Sequence, residues 1–219
     1  MSKGKKRVVL EPAVVYNPLD RRHLGESVAT ALLERPAQHL PPGRFLGSGI
    51  YAIYYVGTFK PYARLGEINR TSGLIWPIYV GRAVPSGARK GDQLQASQEG
   101  EELFNRLKKH AKSITETTNL ELGDFMCRYL VVDDIFIALG ETLMIQKYSP
   151  VWNKVLDGFG INAPGEGRKD QQRSTWDTLH PGRGYARNLG PNVRSVEALM
   201  KEVTEHIEHR LNSAPTSQR

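Results

Sequence analysis

Three stretches of the chain are dense in β-branched and aromatic residues, a composition that favours strands. They are IYAIYYVGTF at residues 50–59, IWPIYVG at residues 75–81 and DFMCRYLVVDD at residues 124–134. Pro77 lacks a backbone N–H, so it predicts that the second strand lies at a sheet edge or begins only after the proline. Residues 60–74 contain Pro, Gly, Asn-Arg and Ser-Gly, and we expect an irregular connection there.

Apolar positions between and beyond these strands follow helical spacing. Residues 101–114 open with acidic residues, which suit the positive N-terminus of a helix. A second helix is predicted after Asp134, its expected N-cap, and Ser149 with Pro150 should end it. The order strand, strand, helix, strand, helix implies an α+β fold with helices over a short sheet.

Two more amphipathic helices are predicted outside this series. Residues 19–35 show helical spacing, and Pro36 stops that helix. Residues 157–192 read as a basic loop region, and a last helix follows at residues 195–211. Its apolar stripe would consist of Val196, Met200, Val203 and Ile207.

The composition narrows the class of protein. The 219 residues carry a formal net charge of +7, which favours a polyanionic partner such as nucleic acid over a basic protein without one. Cys127 is the single cysteine, so a disulfide framework is excluded, a cysteine-based zinc site is disfavoured and a reducing cytosol is expected. Neither a signal peptide nor an apolar run of 18 residues is apparent, so no membrane partner is expected.

Several nuclease and protease signatures are missing. No Asp or Glu is followed two residues later by Lys, which disfavours a metal site of the common restriction-enzyme pattern. His110 and Lys112 start an H-x-K-x4-D pattern, but position 117 is Thr and no second copy exists. The zinc pattern H-E-x-x-H is absent. Glu202, His206 and His209 have metal-compatible spacing, but cations near a helix C-terminus are the preferred interpretation.

A second set of polar residues lies on the predicted elements themselves. Arg106 and His110 are four residues apart and share one helical face, and Glu141 lies among apolar neighbours on the next helix. Taken singly, each is more often a solvated surface residue. Asn153 follows Pro-Val-Trp and could equally be a residue of a helix C-terminal turn.

Taken in order, these residues resemble the GIY-YIG nuclease superfamily over about residues 47–155. The triplet Gly49-Ile50-Tyr51 is intact, and the second triplet, residues 79–81, reads YVG. Arg106, His110, Glu141 and Asn153 then follow in the order of that family. The spacings before and after the second triplet are longer than usual, so Arg82 and Arg89 are rivals for the role of Arg106.

The flanking sequences resemble a narrower group. LGESVATALLERP at residues 24–36 and STWDTLHPGRGYARNL at residues 174–189 are similar to the type II restriction endonuclease branch, in particular to enzymes that cut CCGCGG-type palindromes. The resemblance implies a small, mainly antiparallel sheet flanked by helices. It also implies one compact unit made of an N-terminal arm and helix (1–46), a catalytic core with two insertions (47–156), and a basic loop region with a C-terminal helix (157–219).

The resemblance further implies a metal-dependent hydrolysis of DNA. Glu141 is the one acid of the motif series and would bind a single Mg²⁺ that retains several waters. Asp133 and Asp134 are possible additional ligands, although capping the following helix is the preferred role.

The remaining motif residues would serve the reacting water and phosphate. Tyr51 would take a proton from the water with help from His110, because a free phenol is a poor base at neutral pH. Tyr79 would orient the water or a phosphate oxygen, and Arg106 would stabilise the charge on the phosphate. Asn153 would hold Glu141 or a phosphate through its amide. Whether Tyr51 or His110 finally holds the proton stays open.

Basic loops are the candidates for DNA contact, without a division into base readers and phosphate binders. They hold Arg82, Arg89, Lys90, Arg168, Lys169, Arg183 and Arg187. His180 could contact DNA or brace a turn. A single active site per chain implies a homodimer on double-stranded palindromic DNA. The resemblance implies a bacterial cytoplasm that also contains a methyltransferase protecting the host DNA. A homing or repair nuclease and a non-catalytic DNA-binding protein are the alternatives.

Overall fold

A computed structural model describes residues 15–85, 98–161 and 171–213 of the chain. Its described part contains one four-stranded antiparallel sheet with the strand order β1-β4-β2-β3. The strands are β1 (Gln38–His39), β2 (Gly49–Tyr55), β3 (Pro77–Ala83) and β4 (Phe125–Val131). Because β3 lies at one edge and begins at Pro77, the edge-strand prediction is confirmed.

The central strand β2 organises the core. All seven of its residues are buried, and successive side chains point to opposite faces of the sheet. Ile50 faces the helix that carries Gly140, since a Cβ added to Gly140 would lie 3.0 Å from the Cδ1 atom of Ile50. Tyr51 points to the other face, where its hydroxyl meets His110. Helices therefore cover both faces of the sheet.

The four predicted helices are present in the predicted order, and the described residues contain three more. They are α1 (Arg21–Leu33), α2 (Ala63–Ser72), α3 (Glu102–Thr115), α4 (Asp134–Tyr148), α5 (Val151–Lys154), α6 (Thr175–Leu179) and α7 (Val196–Asn212). Helix α1 packs against α4, and α4 and α3 each contact β2 and β3. The architecture confirms the predicted α+β fold with an antiparallel sheet flanked by helices.

The segment 60–74 corrects the sequence prediction. It forms a short 3₁₀ helix at Lys60–Tyr62 followed by α2, rather than an irregular connection. Its buried face contains a polar residue, Asn69, whose amide binds the backbone of Tyr55 and Trp76. Because a polar asparagine occupies part of the buried face of α2, the sequence of this helix lacks a clear apolar periodicity. The helix was therefore not predicted.

Smaller corrections concern the N-cap of α4, the buried face of α7 and the region 157–192. Asp133, not Asp134, is the N-cap of α4, and its carboxylate accepts a hydrogen bond from the amide of Ile135 at 3.1 Å. The buried positions of α7 are Leu199, Val203, Ile207 and Leu211, and Met200 packs against the core while partly buried. The predicted stripe was therefore wrong only at Val196, which is exposed. Residues 157–192 also contain α6 and a 3₁₀ helix at Gly184–Asn188.

Two further predictions concern Cys127 and membrane-spanning helices. Cys127 is fully buried in the core, as predicted for a small apolar side chain. Within the described ranges, none of the helices combines the length and apolar character needed to span a membrane.

Candidate active site

The two motif tyrosines lie on neighbouring strands. In the register of β2 and β3, Tyr51 is opposite Gly81 and Ile53 is opposite Tyr79. Both tyrosines are therefore on the same face of the sheet, and their ring centroids are 6.2 Å apart. Tyr51 is fully buried, whereas Tyr79 is only partly buried.

The glycines of both triplets are explained by close approach. A Cβ added to Gly81 would lie 2.6 Å from the Cζ atom of Tyr51 and closer still to its hydroxyl oxygen. A Cβ added to Gly49 would lie 3.0 Å from the carbonyl carbon of Leu130 on β4. Larger residues at these positions would displace the phenol or the neighbouring strand.

Helix α3 places His110 against the tyrosines. Its Nε2 atom is 2.5 Å from the hydroxyl oxygen of Tyr51. The imidazole stacks on the ring of Phe159 at 4.5 Å with an interplanar angle of 17°, and it meets Tyr79 edge-on at 5.2 Å. The ring is thus fixed on three sides and is almost completely buried.

Burial sets the resting protonation of this pair. It raises the pKa of Tyr51 well above its usual value, and the nearby Tyr79 acts in the same direction. Burial also holds the pKa of His110 well below its usual value, with further lowering by the charge of Arg106. Both groups are therefore neutral at neutral pH. The two neutral groups share a hydrogen bond, in which the phenol is the donor when the imidazole carries its proton on Nδ1.

Arg106 lies on the same face of α3, one turn before His110. Its Nη2 donates to the carbonyl oxygen of Gly160 at 2.8 Å, and its buried Nε has no hydrogen-bond partner within the described residues. Its charge counteracts the rise that burial causes in the pKa values of Tyr51 and Tyr79. Arg106 therefore lies beside both motif tyrosines, whereas its rival Arg82 pairs with Glu141 and its rival Arg89 lies outside the described residues.

Glu141 comes from α4 on the other side of the edge strand. Its carboxylate lies 3.1 Å from Nε of Arg82, and the side chain is 20% exposed. Burial raises its pKa, while Arg82 and Arg106 act against that rise. The acid is close enough to the tyrosines that its charge also raises the pKa of Tyr79. Tyr51, Tyr79, Arg106, His110 and Glu141 thus form one cluster around β3.

Asn153 behaves differently from its prediction. Its Oδ1 accepts from the amide of Val80 at 2.8 Å, and its Nδ2 donates to the carbonyl oxygen of Val80, also at 2.8 Å. These two bonds use the outer edge of β3, which no other strand of the described residues pairs with. The amide holds the strand that carries Tyr79 instead of Glu141 or a phosphate.

The basic residues predicted to contact DNA differ in how exposed they are. Arg82 and Arg187 are exposed, whereas Arg183 is 1% exposed and forms a buried ion pair with Asp177. Burial contradicts the DNA-contact prediction for Arg183, because its guanidinium is already fully occupied inside the protein. The predictions for Arg89, Lys90, Arg168 and Lys169 lie outside the described residues.

His180 is also internal. Its Nε2 is 2.6 Å from the hydroxyl of Tyr62, and its Nδ1 is 3.0 Å from Oδ1 of Asn119. These contacts assign it to bracing the fold rather than to DNA.

A cavity of about 230 Å³ adjoins the cluster beside Arg106 and His110. Its rim includes Lys109, Lys112 and Ser113 of α3 and Tyr185 of the 3₁₀ helix. Sequence reasoning missed these residues as site components. The lysine-rich outer face of α3 was the available signal, but it is typical of any solvated helix.

The described residues contain no group of three or more His, Cys, Asp or Glu side chains able to surround a metal ion. Asp133 is engaged as a helix cap, and His206 binds the carbonyl oxygen of Ser149. Asp134 begins α4 about two turns before Glu141, so the proposed donor at the cluster is the partly exposed carboxylate of Glu141. One carboxylate fits Mg²⁺, which retains waters and completes its shell with phosphate oxygens, and does not fit a fully protein-bound ion.

This cluster brings together the two tyrosines, the histidine, the arginine and the glutamate that the resemblance to GIY-YIG nucleases singled out. The family model described as the Eco29kI GIY-YIG domain matches residues 43–207. The chain therefore belongs to this family of type II restriction endonucleases. A search of curated proteins found no match to the chain.

Proposed function

We propose that the chain is a site-specific endonuclease that hydrolyses phosphodiester bonds in double-stranded DNA at a palindromic, GC-rich site. The observation that carries the proposal is the 2.5 Å contact between Tyr51 and His110 beside Arg106 and Glu141. A DNA-binding protein without catalysis needs neither a buried proton-accepting pair nor a carboxylate at the edge of the same cluster.

The proton transfers follow from the resting state of the pair. Tyr51 accepts a proton from the attacking water while its own proton passes to Nε2 of His110. The resulting hydroxide forms the new P–O bond as the bond from phosphorus to the 3′ oxygen breaks. Because neither group holds charge easily at rest, the transfer proceeds together with the attack rather than before it.

Tyr79 and Arg106 act on the phosphate. Tyr79 is the partly exposed tyrosine, which supports a role in orienting the water or a phosphate oxygen. The guanidinium of Arg106 is held by Gly160 and has an unused Nε, which supports its proposed role in stabilising the charge that builds on the phosphate oxygens.

Glu141 would hold one Mg²⁺ per active site. When bound, the ion would neutralise the phosphate and the departing 3′ oxygen. Arg82 pairs with Glu141 in the protein alone, so DNA or metal binding would release it to contact the DNA backbone.

The basic rim of the cavity offers a path for the DNA backbone away from the cluster. Lys109 and Lys112 lie along α3 beside Arg106, and exposed lysines of this kind bind phosphates without regard to sequence. We keep Arg82, Arg89, Lys90, Arg168, Lys169 and Arg187 as proposed DNA contacts.

A palindromic site cut on both strands calls for two active sites. We propose a homodimer on DNA, since each chain supplies one catalytic cluster and two-fold symmetry matches a palindrome. The cellular setting would be a bacterial cytoplasm with a methyltransferase that protects the host DNA. The N-terminal arm (1–46), the core (47–156) and the C-terminal region (157–219) would act as one compact unit.

Incubation of the purified protein with plasmid DNA tests the proposal. With Mg²⁺ we expect discrete double-strand fragments, and with EDTA in its place we expect intact plasmid. Nicks on one strand alone would point to a homing or repair nuclease, and so would a random smear of products. Tight binding without any cutting would favour a non-catalytic DNA-binding protein.

A further inference from the structure

The catalytic cluster is completed by a segment that contains none of the motif residues. This segment, residues 157–160, follows α5. Phe159 stacks on the imidazole of His110, and the carbonyl oxygen of Gly160 accepts the hydrogen bond from Nη2 of Arg106. A Cβ added to Gly160 would lie 2.7 Å from the hydroxyl oxygen of Tyr79. The segment 157–160 therefore contacts three catalytic residues at once.

The same segment is tied to α6. The amide of Trp176 donates to the carbonyl oxygen of Asp157 at 3.0 Å, and the amide of Thr175 donates to its carboxylate at 3.0 Å. Gly158 has a φ of 101° and passes so close to Ser174 that an added Cβ would collide with the serine hydroxyl. Only glycine suits this combination of left-handed backbone and close approach.

Arg183 binds this segment from inside the protein. Its Nη2 donates to the carbonyl oxygen of Gly158 at 2.9 Å, and its Nη1 donates to that of Phe159 at 3.3 Å. Its Nε and Nη2 also reach the two carboxylate oxygens of Asp177, each at 2.6 Å. The guanidinium lies over the ring of Trp176, 4.5 Å from the centroid. Arg183 and Asp177 are both almost completely buried.

This arrangement uses the geometry of arginine and not only its charge. The planar fork binds a carboxylate on one side and two backbone carbonyls on the other, which an ammonium group on a flexible stem cannot reproduce. A buried ion pair of this kind adds little net stability compared with an apolar pair, so its value lies in fixing the groups it binds.

We propose that Arg183, oriented by Asp177, is a positioning residue for the nuclease reaction. It fixes the carbonyl groups of Gly158 and Phe159, so that Phe159 holds the ring of His110 and Gly160 holds Arg106. The inference rests on the proposed nuclease function and adds to it a residue that touches neither DNA nor the motif side chains.

The first test is Arg183→Lys, which keeps the charge and removes the fork. We expect DNA affinity within about twofold of wild type and a single-turnover cleavage rate lowered at least about tenfold, because small displacements of catalytic groups reduce the rate strongly. An unchanged rate in a folded variant would overturn the proposal. A parallel loss of affinity and rate would also overturn it, because Arg183 would then serve DNA binding.

A second variant separates positioning from folding. Arg183→Met combined with Asp177→Leu replaces the buried ion pair by an apolar pair and should restore the thermal midpoint. We expect cleavage to stay slow, since the bonds to Gly158 and Phe159 remain absent. Recovery of the wild-type rate, or a failure of both variants to fold, would assign Arg183 to folding alone and overturn the proposal. Val203→Ala in the buried face of α7 is the matched destabilised control, and it should cleave normally.

A spectroscopic readout keeps this inference distinct from the nuclease function. In protein with labelled histidines, Arg183→Lys should shift the ring signals of His110. The signals of His206 on α7, whose ring binds the carbonyl oxygen of Ser149, should stay in place. If wild-type protein cleaves no DNA, the nuclease function fails while the shifts still report on positioning. An unmoved His110 signal would overturn the positioning role even if wild type cleaves DNA.

Discussion

The hydroxyl of Tyr51 meets Nε2 of His110 at 2.5 Å, although the two residues are 59 positions apart in the chain. The contact is enclosed by Gly81 on the neighbouring strand and by Phe159 on the far side of the imidazole. Because burial keeps both groups neutral, a proton can pass between them only when a reaction drives it. Because the pair is enclosed, we expect the loss of a single hydroxyl or the addition of a single methyl group to reduce activity.

Removal of one hydroxyl tests the pair directly. Tyr51→Phe keeps the packed ring and deletes the proton-transferring atom, so we expect the single-turnover rate to fall by about 10²–10⁴ with DNA affinity retained. Tyr54→Phe on the same strand is the control, because its buried hydroxyl has no partner within the described residues. That variant should cleave normally and be no less stable. Equal rates for the two variants would exclude Tyr51 from the chemistry.

The second triplet can be tested through its glycine. Gly81→Ala would place a methyl group against the phenol of Tyr51, and we expect a loss of about 1–3 kcal/mol in the free energy of unfolding together with a large loss of cleavage. Gly123→Ala adds the same group in open space and should change neither. Chemical denaturation and cleavage assays on both variants measure the difference. Full activity of Gly81→Ala would contradict the packing described around Tyr51.

The proposed role of Glu141 as the Mg²⁺ ligand can be tested by substitution. Glu141→Gln keeps the size of the side chain and removes the charge that would hold Mg²⁺, so DNA binding should persist while cleavage is lost. Glu205→Gln on the exposed side of α7 is the control and should cleave like wild type. Gel-shift and cleavage assays at equal Mg²⁺ concentration separate the two properties. Undiminished cleavage by Glu141→Gln would remove Glu141 from its proposed role.

Acid should destabilise the fold through His180. Burial, aided by Arg183, lowers the pKa of His180 from 6.5 to about 3. The unfolded chain therefore binds a proton that the folded protein does not, and stability falls as the pH drops below 6.5 toward that value. This one group contributes a slope of at most about 1.4 kcal/mol per pH unit.

Denaturation curves between pH 7 and pH 4.5 measure that slope. The His180→Gln variant should be less stable at pH 7 because it loses the ring bound by Tyr62 and Asn119, yet its stability should depend less on pH. Equal slopes for wild type and variant would show that His180 is not the neutral, buried group described above.

Local pattern was enough to predict the elements that carry the site. The strands around Tyr51 and Tyr79 are dense in β-formers, and Pro77 marks the edge strand because a missing N–H is a local property. Helix α3 was predictable from its apolar spacing, which also placed Arg106 and His110 on one face. Each of these signals lies within a few residues of the feature it predicts.

The errors arose where a distant partner decides the role of a polar residue. In the sequence, Arg183 cannot be told apart from the exposed arginines near it. In the structure it is buried and forms an ion pair with Asp177. Asn153 was expected to hold Glu141 or a phosphate, but its amide forms hydrogen bonds with the backbone of Val80. Asn69 is satisfied by backbone groups on both sides of α2. Nothing in the sequence near these residues identifies the groups they bind.

The central claim is that this chain cuts DNA at one defined site using the Tyr51–His110 cluster. Its most direct test is to sequence the fragment ends produced from genomic DNA by the wild-type protein with Mg²⁺, with Tyr51→Phe treated in parallel. We predict that all wild-type ends share one palindromic, GC-rich sequence with a constant stagger, and that Tyr51→Phe yields no such ends under the same conditions. Ends without a common sequence, or the same ends from both proteins, would contradict the account.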